Sequence, residues 1–196
     1  MRALALEIIL IIQIWRVFRL SRYFKLAPMS PLFRGLTIAL WTLPFLFGIS
    51  ALVWRQQLAG IIFIFLITLY GAVWLWYRPS WFVVSSNCVE IVFPAWRRRI
   101  PVQDICAIRI INKDAFQREF GWAIRIGVGG LWGSFGWLWT YRRGFLEFYI
   151  SQHDNFVLID RFTHKSITIT PENPEQFAEA VEEAIASRGS DRAESS

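Results

Sequence analysis

Two long apolar segments lie close together near the start of this chain. Residues 36–54 and 58–77 contain no ionised side chain, and only Arg55, Gln56 and Gln57 separate them. Each segment has about 20 residues, which at about 1.5 Å per residue is enough to cross a hydrocarbon layer of about 30 Å. The sequence therefore predicts a transmembrane helical hairpin over residues 35–77, with the lipid bilayer as its first partner.

The excess positive charge of the chain lies beside these segments. The formal net charge is +6. Residues 1–77 contain seven Lys or Arg and one acid, Glu7, which gives +6, whereas residues 78–196 contain fourteen of each sign and give zero. Nucleic-acid binding needs a basic patch on the folded domain, so the high pI does not predict a nucleic-acid partner.

The positions of these charges also predict an orientation. The connecting turn offers only Arg55, and Arg78 follows the second segment. Five cations lie between Trp15 and the first segment, at Arg16, Arg19, Arg22, Lys25 and Arg34. Because Lys and Arg accumulate on the cytoplasmic side of membrane helices, both termini are expected in the cytoplasm.

Residues 1–34 form a basic N-terminal segment. Residues 3–15 are apolar apart from Glu7 and Gln13, but they are too few for a membrane span. The following residues are basic and aromatic, which is not typical of a signal-peptide cleavage site. Two interpretations stay open: an interfacial helix, which the three-residue spacing of Arg16, Arg19 and Arg22 favours, or a partial third helix packed against the hairpin.

Residues 78–188 have the pattern of a separate domain. Short strand-like segments alternate with turn signals, and residues 145–150, 156–160 and 166–170 predict an antiparallel meander. Residues 112–119 are charged and predict a loop. Asn173 and Pro174 are typical of a helix start, and Gly189 is expected to end that helix before a disordered tail at 189–196. The pattern favours a small barrel closed by an amphipathic helix.

The domain also resembles a known family. The sequence after the hairpin is similar to the bacterial pleckstrin-homology-like domain family in its membrane-anchored two-span form. The segments that carry this similarity are RPSWFVVSSNCVEIVF, RRRIPVQDICAIRII, GVGGLWGSFGWLW and FVLIDRFTHKSITITPENPEQFAEAV. The resemblance implies an α+β fold with membrane helices, in which the hairpin precedes a bent antiparallel sheet or barrel of roughly seven strands and a C-terminal helix. It also implies a bacterial inner-membrane location and a binding or scaffolding role without enzymatic chemistry.

Motifs for catalysis, metals and cofactors do not stand out in the sequence. The glycines of residues 127–136 do not form a dinucleotide fingerprint, since Trp132 stands where the third glycine would fall. His153 and His164 are separate, and no histidine and cysteine cluster has metal-ligand spacing. We therefore predict a protein without a catalytic site, a metal or a cofactor.

An aromatic and basic segment over residues 131–143 is the first candidate site. Trp132, Phe135 and Trp137 are followed by Arg142 and Arg143. These side chains predict either a loop that enters the cytoplasmic leaflet and meets anionic lipid, or a glycine-kinked strand whose rings fill the core.

Three consecutive arginines, Arg97, Arg98 and Arg99, are the second candidate site. In a strand, alternation would send Arg98 to the opposite face from its two neighbours, so one three-pronged pocket is not expected. The two interpretations are contact with anionic lipid headgroups and a solvated charge run. For the whole chain, the leading hypothesis is a membrane-anchored module that binds a partner protein or forms an accessory subunit of a membrane assembly. The alternative is an anionic-lipid sensor that uses the 131–143 segment.

Overall fold

The computed structural model describes residues 21–152 and 154–194, with side chains described as far as residue 187. Four α-helices are present in this part of the chain: α1 (Pro31–Val53), α2 (Gln57–Trp76), α3 (Lys113–Phe120) and α4 (Pro174–Glu194). The first five strands are β1 (Arg22–Lys25), β2 (Trp81–Val84), β3 (Cys88–Val92), β4 (Arg97–Pro101) and β5 (Ile105–Ile111). The other five are β6 (Ala123–Gly129), β7 (Ser134–Thr140), β8 (Gly144–Ile150), β9 (Phe156–Arg161) and β10 (Ile167–Ile169).

Helices α1 and α2 form the predicted hairpin. Ser30 caps α1, because its side chain accepts a hydrogen bond from the Phe33 amide, and Pro31 occupies the first turn, where no amide donor is needed. Both helices are long and apolar enough to cross a membrane. Their domain-proximal ends pack on the strands that follow, since Phe33 is buried in the core and the Ala95 amide bonds the Leu75 carbonyl.

The first sheet contains a strand that precedes the hairpin. Its order is β1-β2-β3-β4, and all its pairs are antiparallel. In the β1–β2 pair, Arg22 lies opposite Val84 and Lys25 opposite Trp81. The predicted interfacial helix is therefore wrong for residues 22–25, where the apolar Phe24 is buried and the side chains on either side of it are exposed. Residues 1–20, which carry most of that prediction, lie outside the described residues.

The second sheet has six strands in the order β5-β9-β10-β8-β7-β6. Strand β10 lies between β8 and β9, parallel to β8 and antiparallel to β9. The predicted antiparallel meander is therefore wrong for β8 and β9, which it would place side by side, whereas its antiparallel pairing of β9 with β10 is confirmed. The short β10 separates them and pairs with only Glu147–Tyr149 of β8, as residues 144–146 have no partner on that side within the described residues.

Two segments that were predicted to be irregular contain helix: the 112–119 loop and the 189–196 tail. The segment expected to be a charged loop forms α3, which Asn112 caps by accepting a hydrogen bond from the Ala115 amide at 2.8 Å. The last helix does not end at Gly189, since α4 continues to Glu194. A glycine costs a helix about 1 kcal/mol but does not by itself stop it.

The core of the domain joins the two sheets and α4. One cluster packs Phe177 and Val181 of α4 against Phe82 and Ile91 of the first sheet and Ile159 of the second. A second cluster covers the other face of the second sheet and includes Phe120 of α3 and Phe33 of α1. The α+β class and the C-terminal helix are confirmed, but the sheets of four and six strands do not close into a barrel.

Candidate functional site

The loop between β6 and β7 packs on the ends of α1 and α2. Gly130 lies beside Leu36 and Leu40 of α1, and Leu131 is buried against Tyr70 and Val73 of α2. The Trp132 ring makes edge-to-face contacts with rings of both helices, with centroid distances of 6.4 Å to Trp41 and 5.0 Å to Trp74. The candidate residue Trp132 therefore contacts the helical hairpin.

Thr37 satisfies the backbone of this loop. Its hydroxyl lies 2.9 Å from the Gly130 carbonyl oxygen and accepts a hydrogen bond from the Trp132 amide at 2.9 Å. The Gly130 amide bonds the Gly133 carbonyl at 2.9 Å. Irregular backbone is stable beside apolar helices only when its polar groups are paired, and these bonds provide that pairing.

The other aromatic candidates are not at this contact. Phe135 is buried in the core that α4 covers, so its ring is not on the surface. Trp137 is partly exposed near the middle of β7. Strand β7 has 7 residues, and a strand rises about 3.3 Å per residue, so its two ends are about 20 Å apart. The predicted lipid-facing residues of the 131–143 segment are thus spread along a strand.

Arg142 and Arg143 lie at the opposite end of β7 from Trp132. Arg142 donates to the Arg118 carbonyl at the end of α3. Arg143 pairs with Glu119 at 2.7 Å and lies 3.8 Å from Asp160. Both arginines therefore connect the β7–β8 turn to neighbouring elements.

The arginine triplet is split between two faces of β4. Arg97 and Arg99 both pair with Glu90 of β3, at 3.6 Å and 2.8 Å. Arg98 points the other way and pairs with Glu147 of β8 at 2.5 Å. This arrangement agrees with the alternation predicted for a strand, and Arg98 links the two sheets.

An exposed apolar surface lies at the β6 edge of the second sheet, and we call it the apolar face. Ile126 of β6 pairs with Trp137 of β7. Trp139 of β7 pairs with Ile124 of β6 on one side and with Phe145 of β8 on the other, so these residues share one face of the sheet. Ile126 is 52% exposed, and the side chains of Ile124, Trp137 and Phe145 are exposed as well. Among the described residues no strand pairs with the outer edge of β6. Alternating apolar residues were the one signal in the sequence that pointed to this surface.

A buried carboxylate organises the turn after β9. Asp104 accepts hydrogen bonds from Arg161 at 2.8 Å and from the Thr163 amide at 3.1 Å, and its Oδ2 lies 2.9 Å from the His164 ring nitrogen. Burial alone would raise the pKa of Asp104, but these hydrogen bonds outweigh it and lower the pKa to about 2. Asp104 is therefore ionised at neutral pH and holds Arg161 in place.

Glu147 has the opposite electrostatic balance. Its side chain is almost fully buried, and burial raises its pKa although Arg98 and Arg161 favour the charged form. Burial beside this carboxylate also raises the pKa of Tyr149 to about 12. Glu147 and Arg98 thus form an inter-sheet ion pair in which the carboxylate is buried and the arginine is partly exposed.

Arg161 and the Glu147–Arg98 pair line a cavity of about 630 Å³ that opens beside the start of β8, just before β10 begins to pair with that strand. Arg98, Arg143, Arg161 and Lys165 supply positive charge to its lining, Trp137 and Phe145 supply aromatic rings, and Glu147 supplies one carboxylate. Arg98, Arg143 and Trp137 are candidate lipid contacts from the sequence, whereas Arg161 and Lys165 are not among those candidates. The missed residues come from a turn that the sequence places far from the triplet.

Comparison with known proteins identifies the domain. No curated protein and no solved structure is significantly similar to the chain. Residues 82–185 match the bacterial PH domain family, and this region is more than half of the chain. It runs from β2 to α4 and includes the apolar face and the cavity. The resemblance predicted from sequence is confirmed, and the chain belongs to the bacterial PH domain family.

Proposed function

We propose that this chain is a membrane-anchored binding module whose bacterial PH domain holds a partner protein at the cytoplasmic surface of the inner membrane. The observation that carries the proposal is the apolar face beside the unpaired edge of β6. Domains of this family generally mediate protein or lipid interactions. We assign the domain a binding or scaffolding role, as an accessory subunit of a membrane assembly, and no catalytic reaction.

Membrane insertion is supported by the surface of the hairpin. A helix in the core of a soluble protein is mostly buried, but only 11% and 17% of the most apolar windows of α1 and α2 are buried. Large apolar side chains such as Leu52, Leu58 and Phe65 are exposed to the surroundings. Lipid is the environment that would stabilise so much exposed apolar surface.

The pairing of β1 with β2 supports the proposed topology. Strand β1 precedes α1 and β2 follows α2, yet they are hydrogen-bonded neighbours in one sheet. Both ends of the hairpin must then lie on the same side of any membrane that it crosses. The concentration of cations before α1 favours the cytoplasm for that side.

Partner binding is supported by the geometry of β6. Both faces of this strand are largely exposed, and its outer edge presents backbone donors and acceptors. Exposed edges of this kind are usually protected, because they can pair with a strand of another chain. An extended segment of a partner could add to β6 and place its apolar side chains against Ile124 and Ile126.

A photocrosslinking experiment in native membranes tests this proposal. A photoreactive amino acid at Ile126 of the full-length chain should give an adduct of one defined mass, whereas the same group at Glu179 on α4 should not. In a second chain the photoreactive group replaces Ile124. Adding Ile126→Lys to that chain should abolish the adduct, because a charge on the apolar face opposes its burial by a partner. Tyr23→Lys, which adds the same charge to an exposed residue of β1, is the matched control.

The opposite result is equally defined. Equal adducts from Ile126 and Glu179, or an adduct that survives Ile126→Lys, would exclude the apolar face as the binding surface.

Lipid contact is a second candidate, and one observation favours it at Trp132. This ring packs beside Trp41 and Trp74 on helices proposed to enter the bilayer. Trp side chains are common at the level of the headgroups. The test is the preference of the purified protein for anionic over zwitterionic nanodiscs. If lipid binding depends on the β6–β7 loop, Trp132→Leu should weaken this preference, whereas Arg142→Gln should leave it unchanged. Loss of the preference with Arg142→Gln alone would instead support the basic end of the 131–143 segment.

A further inference from the structure

We propose that the cavity beside β8 binds an anionic group, a carboxylate or a phosphate, that arrives from the side of the domain away from the membrane helices. This site adjoins the apolar face, with which it shares Trp137 and Phe145, but the anion-binding proposal does not depend on partner binding. It is formed by the end of β9, the turn that leads to β10, and the first half of β8.

The charge of the lining favours an anion. Four Lys or Arg side chains line the cavity, at Arg98, Arg143, Arg161 and Lys165, against one carboxylate, Glu147. Lys165 stands out among them because its Nζ lies 4.7 Å from the ring centres of both Trp137 and Phe145. Among the described residues it forms no salt bridge, so its ammonium is available to a ligand.

Arg161 supplies a buried donor that the described part of the protein leaves unpaired. The Arg161 side chain is only 6% exposed, and its Nε and Nη2 bond Asp104 at 2.8 Å and 2.7 Å. Its Nη1 is buried without a hydrogen-bond partner. A buried donor without a partner is unfavourable, and an anion in the cavity would supply the missing acceptor. Asp104 fixes the guanidinium, so little orientation is lost when the ligand binds.

The other charges of the lining are already engaged. Arg98 neutralises Glu147, and Arg143 bonds Glu119. The carboxylate of the lining is therefore paired, and the donors left for a ligand are Arg161 Nη1 and Lys165 Nζ. Two donors of this kind match the two oxygens of a carboxylate or two oxygens of a phosphate.

The position of the cavity favours a source in solution over a lipid headgroup. The end of β8 lies near the β6–β7 loop that packs on the helices, because Ile150 pairs with Ser134, the first residue of β7. Phe145 of the cavity lies five residues earlier, about 16 Å along the strand. A headgroup beside the helices would have to leave the bilayer surface to reach Lys165.

Calorimetric titration of the full-length protein in detergent micelles tests the site. The probes are inorganic phosphate and acetate, with sodium chloride at equal ionic strength as the reference. We expect saturable binding of at least one probe, and binding about ten- to hundredfold weaker in Lys165→Gln. Lys113→Gln, which removes an exposed cation outside the lining, is the matched control and should bind normally.

Arg161→Lys provides a second variant that keeps one positive charge beside Asp104 but replaces the three guanidinium nitrogens with a single ammonium, so it has no donor in the position of Nη1. It should lose binding to a similar extent, with its fold checked by circular dichroism. Absence of saturable binding by both probes, or equal binding by Lys165→Gln and the unmodified protein, would overturn the proposal. Displacement of the probe by phosphatidic acid in nanodiscs would overturn the assignment to a ligand from solution.

Discussion

Asp104 and Arg161 form a buried ion pair in which each group depends on the other. Both side chains are less than a tenth exposed. Removing one partner of such a pair leaves an uncompensated charge in the interior, which typically costs about 3–5 kcal/mol. The pair also holds the turn that carries Lys165, because the Thr163 amide bonds the same carboxylate.

We predict that Asp104→Asn lowers the free energy of unfolding by about 3 kcal/mol at pH 7. The pKa of Asp104 is lowered in the folded state, so its stabilising effect is complete above the ordinary value of 3.8 and is lost as the pH falls towards 2. Denaturant unfolding of both proteins from pH 7 to about pH 2.5 should therefore show a difference that narrows below about pH 4. A constant difference would contradict the lowered pKa.

The hydroxyl of Thr37 is the second residue with a specific role. Thr37→Val keeps the shape of the side chain but leaves the Trp132 amide without its acceptor, and it removes the one hydroxyl hydrogen that the Phe33 and Gly130 carbonyl oxygens share. We predict a loss of about 2–3 kcal/mol, measured by thermal unfolding in detergent. Thr42→Val is the control, since the Thr42 hydroxyl bonds only the Ala39 carbonyl of its own helix. Equal effects of the two variants would refute the role of Thr37.

Gly133 has a backbone that other residues rarely adopt. Its φ is +149°, and a Cβ there would clash with the Ile150 carbonyl oxygen. We predict that Gly133→Ala destabilises the domain by at least about 2 kcal/mol in the same assay. Gly129→Ala in the same hairpin should change stability little, because a Cβ there would meet no backbone atom closely and the φ is not positive. A neutral Gly133→Ala would contradict this conformation.

Single residues also show where sequence reasoning stops. Alternation was enough to predict that Arg98 leaves the face of Arg97 and Arg99. Alternation could not predict the partners of these arginines, because only the strand pairing distinguishes Glu90 and Glu147 from the other acidic residues. The same holds for Arg161, whose buried environment depends on Asp104, far earlier in the chain.

At the scale of elements, α3 could have been predicted from the sequence. Asn112 is a good helix cap, Phe116 and Phe120 are four residues apart, and Gly121 follows with a φ of +72°. The two rings stack at 4.4 Å, as that spacing allows. The high charge of the segment favoured a loop, but it forms the exposed side of a short amphipathic helix.

Strand β10 could not have been placed from the sequence. Its three residues are buried, and a short apolar run does not indicate which strands it pairs with. A local meander is the simplest arrangement of three consecutive strands, since each strand pairs with the next one in the sequence. The chain instead passes from β9 through the 162–166 turn into the space between β9 and β8, which leaves the start of β8 open at the cavity.

Strand β1 belongs to the domain although it lies outside the region that matches the family. Phe24 packs edge-to-face on Phe177 of α4 at 5.2 Å. We predict that Phe24→Ala lowers the free energy of unfolding by about 3 kcal/mol, as expected for removal of a buried ring. Tyr23→Ala, at a residue that is mostly exposed, should have little effect. Limited proteolysis with thermal unfolding can compare them, and equal stability of the two variants would exclude β1 from the core.

For the whole molecule, the proposed topology makes a labelling prediction. Gln56 lies in the turn between α1 and α2, and Cys106 is an exposed cysteine of the domain. In intact cells, a membrane-impermeant maleimide that reaches the periplasm should label a Gln56→Cys chain. The unmodified chain should be labelled at Cys106 only after lysis. Labelling of Cys106 in intact cells, or labelling of the Gln56→Cys chain only after lysis, would reverse the orientation.

The architecture was partly predictable because its strongest signals are local. Long uncharged runs specify the hairpin, and the start of α4 is encoded by Asn173 and Pro174. The division into sheets of four and six strands depends on contacts between distant segments, such as Arg22 with Val84, and no local pattern encodes them. The cavity arises from that division and was therefore beyond the reach of sequence reasoning.

The β1–β2 pairing makes the hairpin an insertion within the domain. During synthesis, the first strand leaves the ribosome before both helices, and its neighbour in the sheet is made only after them. Completion of the domain core thus has to await the synthesis of both helices. A fragment that begins at residue 79 would lack its first strand and expose the edge of β2, which favours aggregation. A soluble form for biochemistry should instead keep residues 21–27 and replace the hairpin with a short flexible linker.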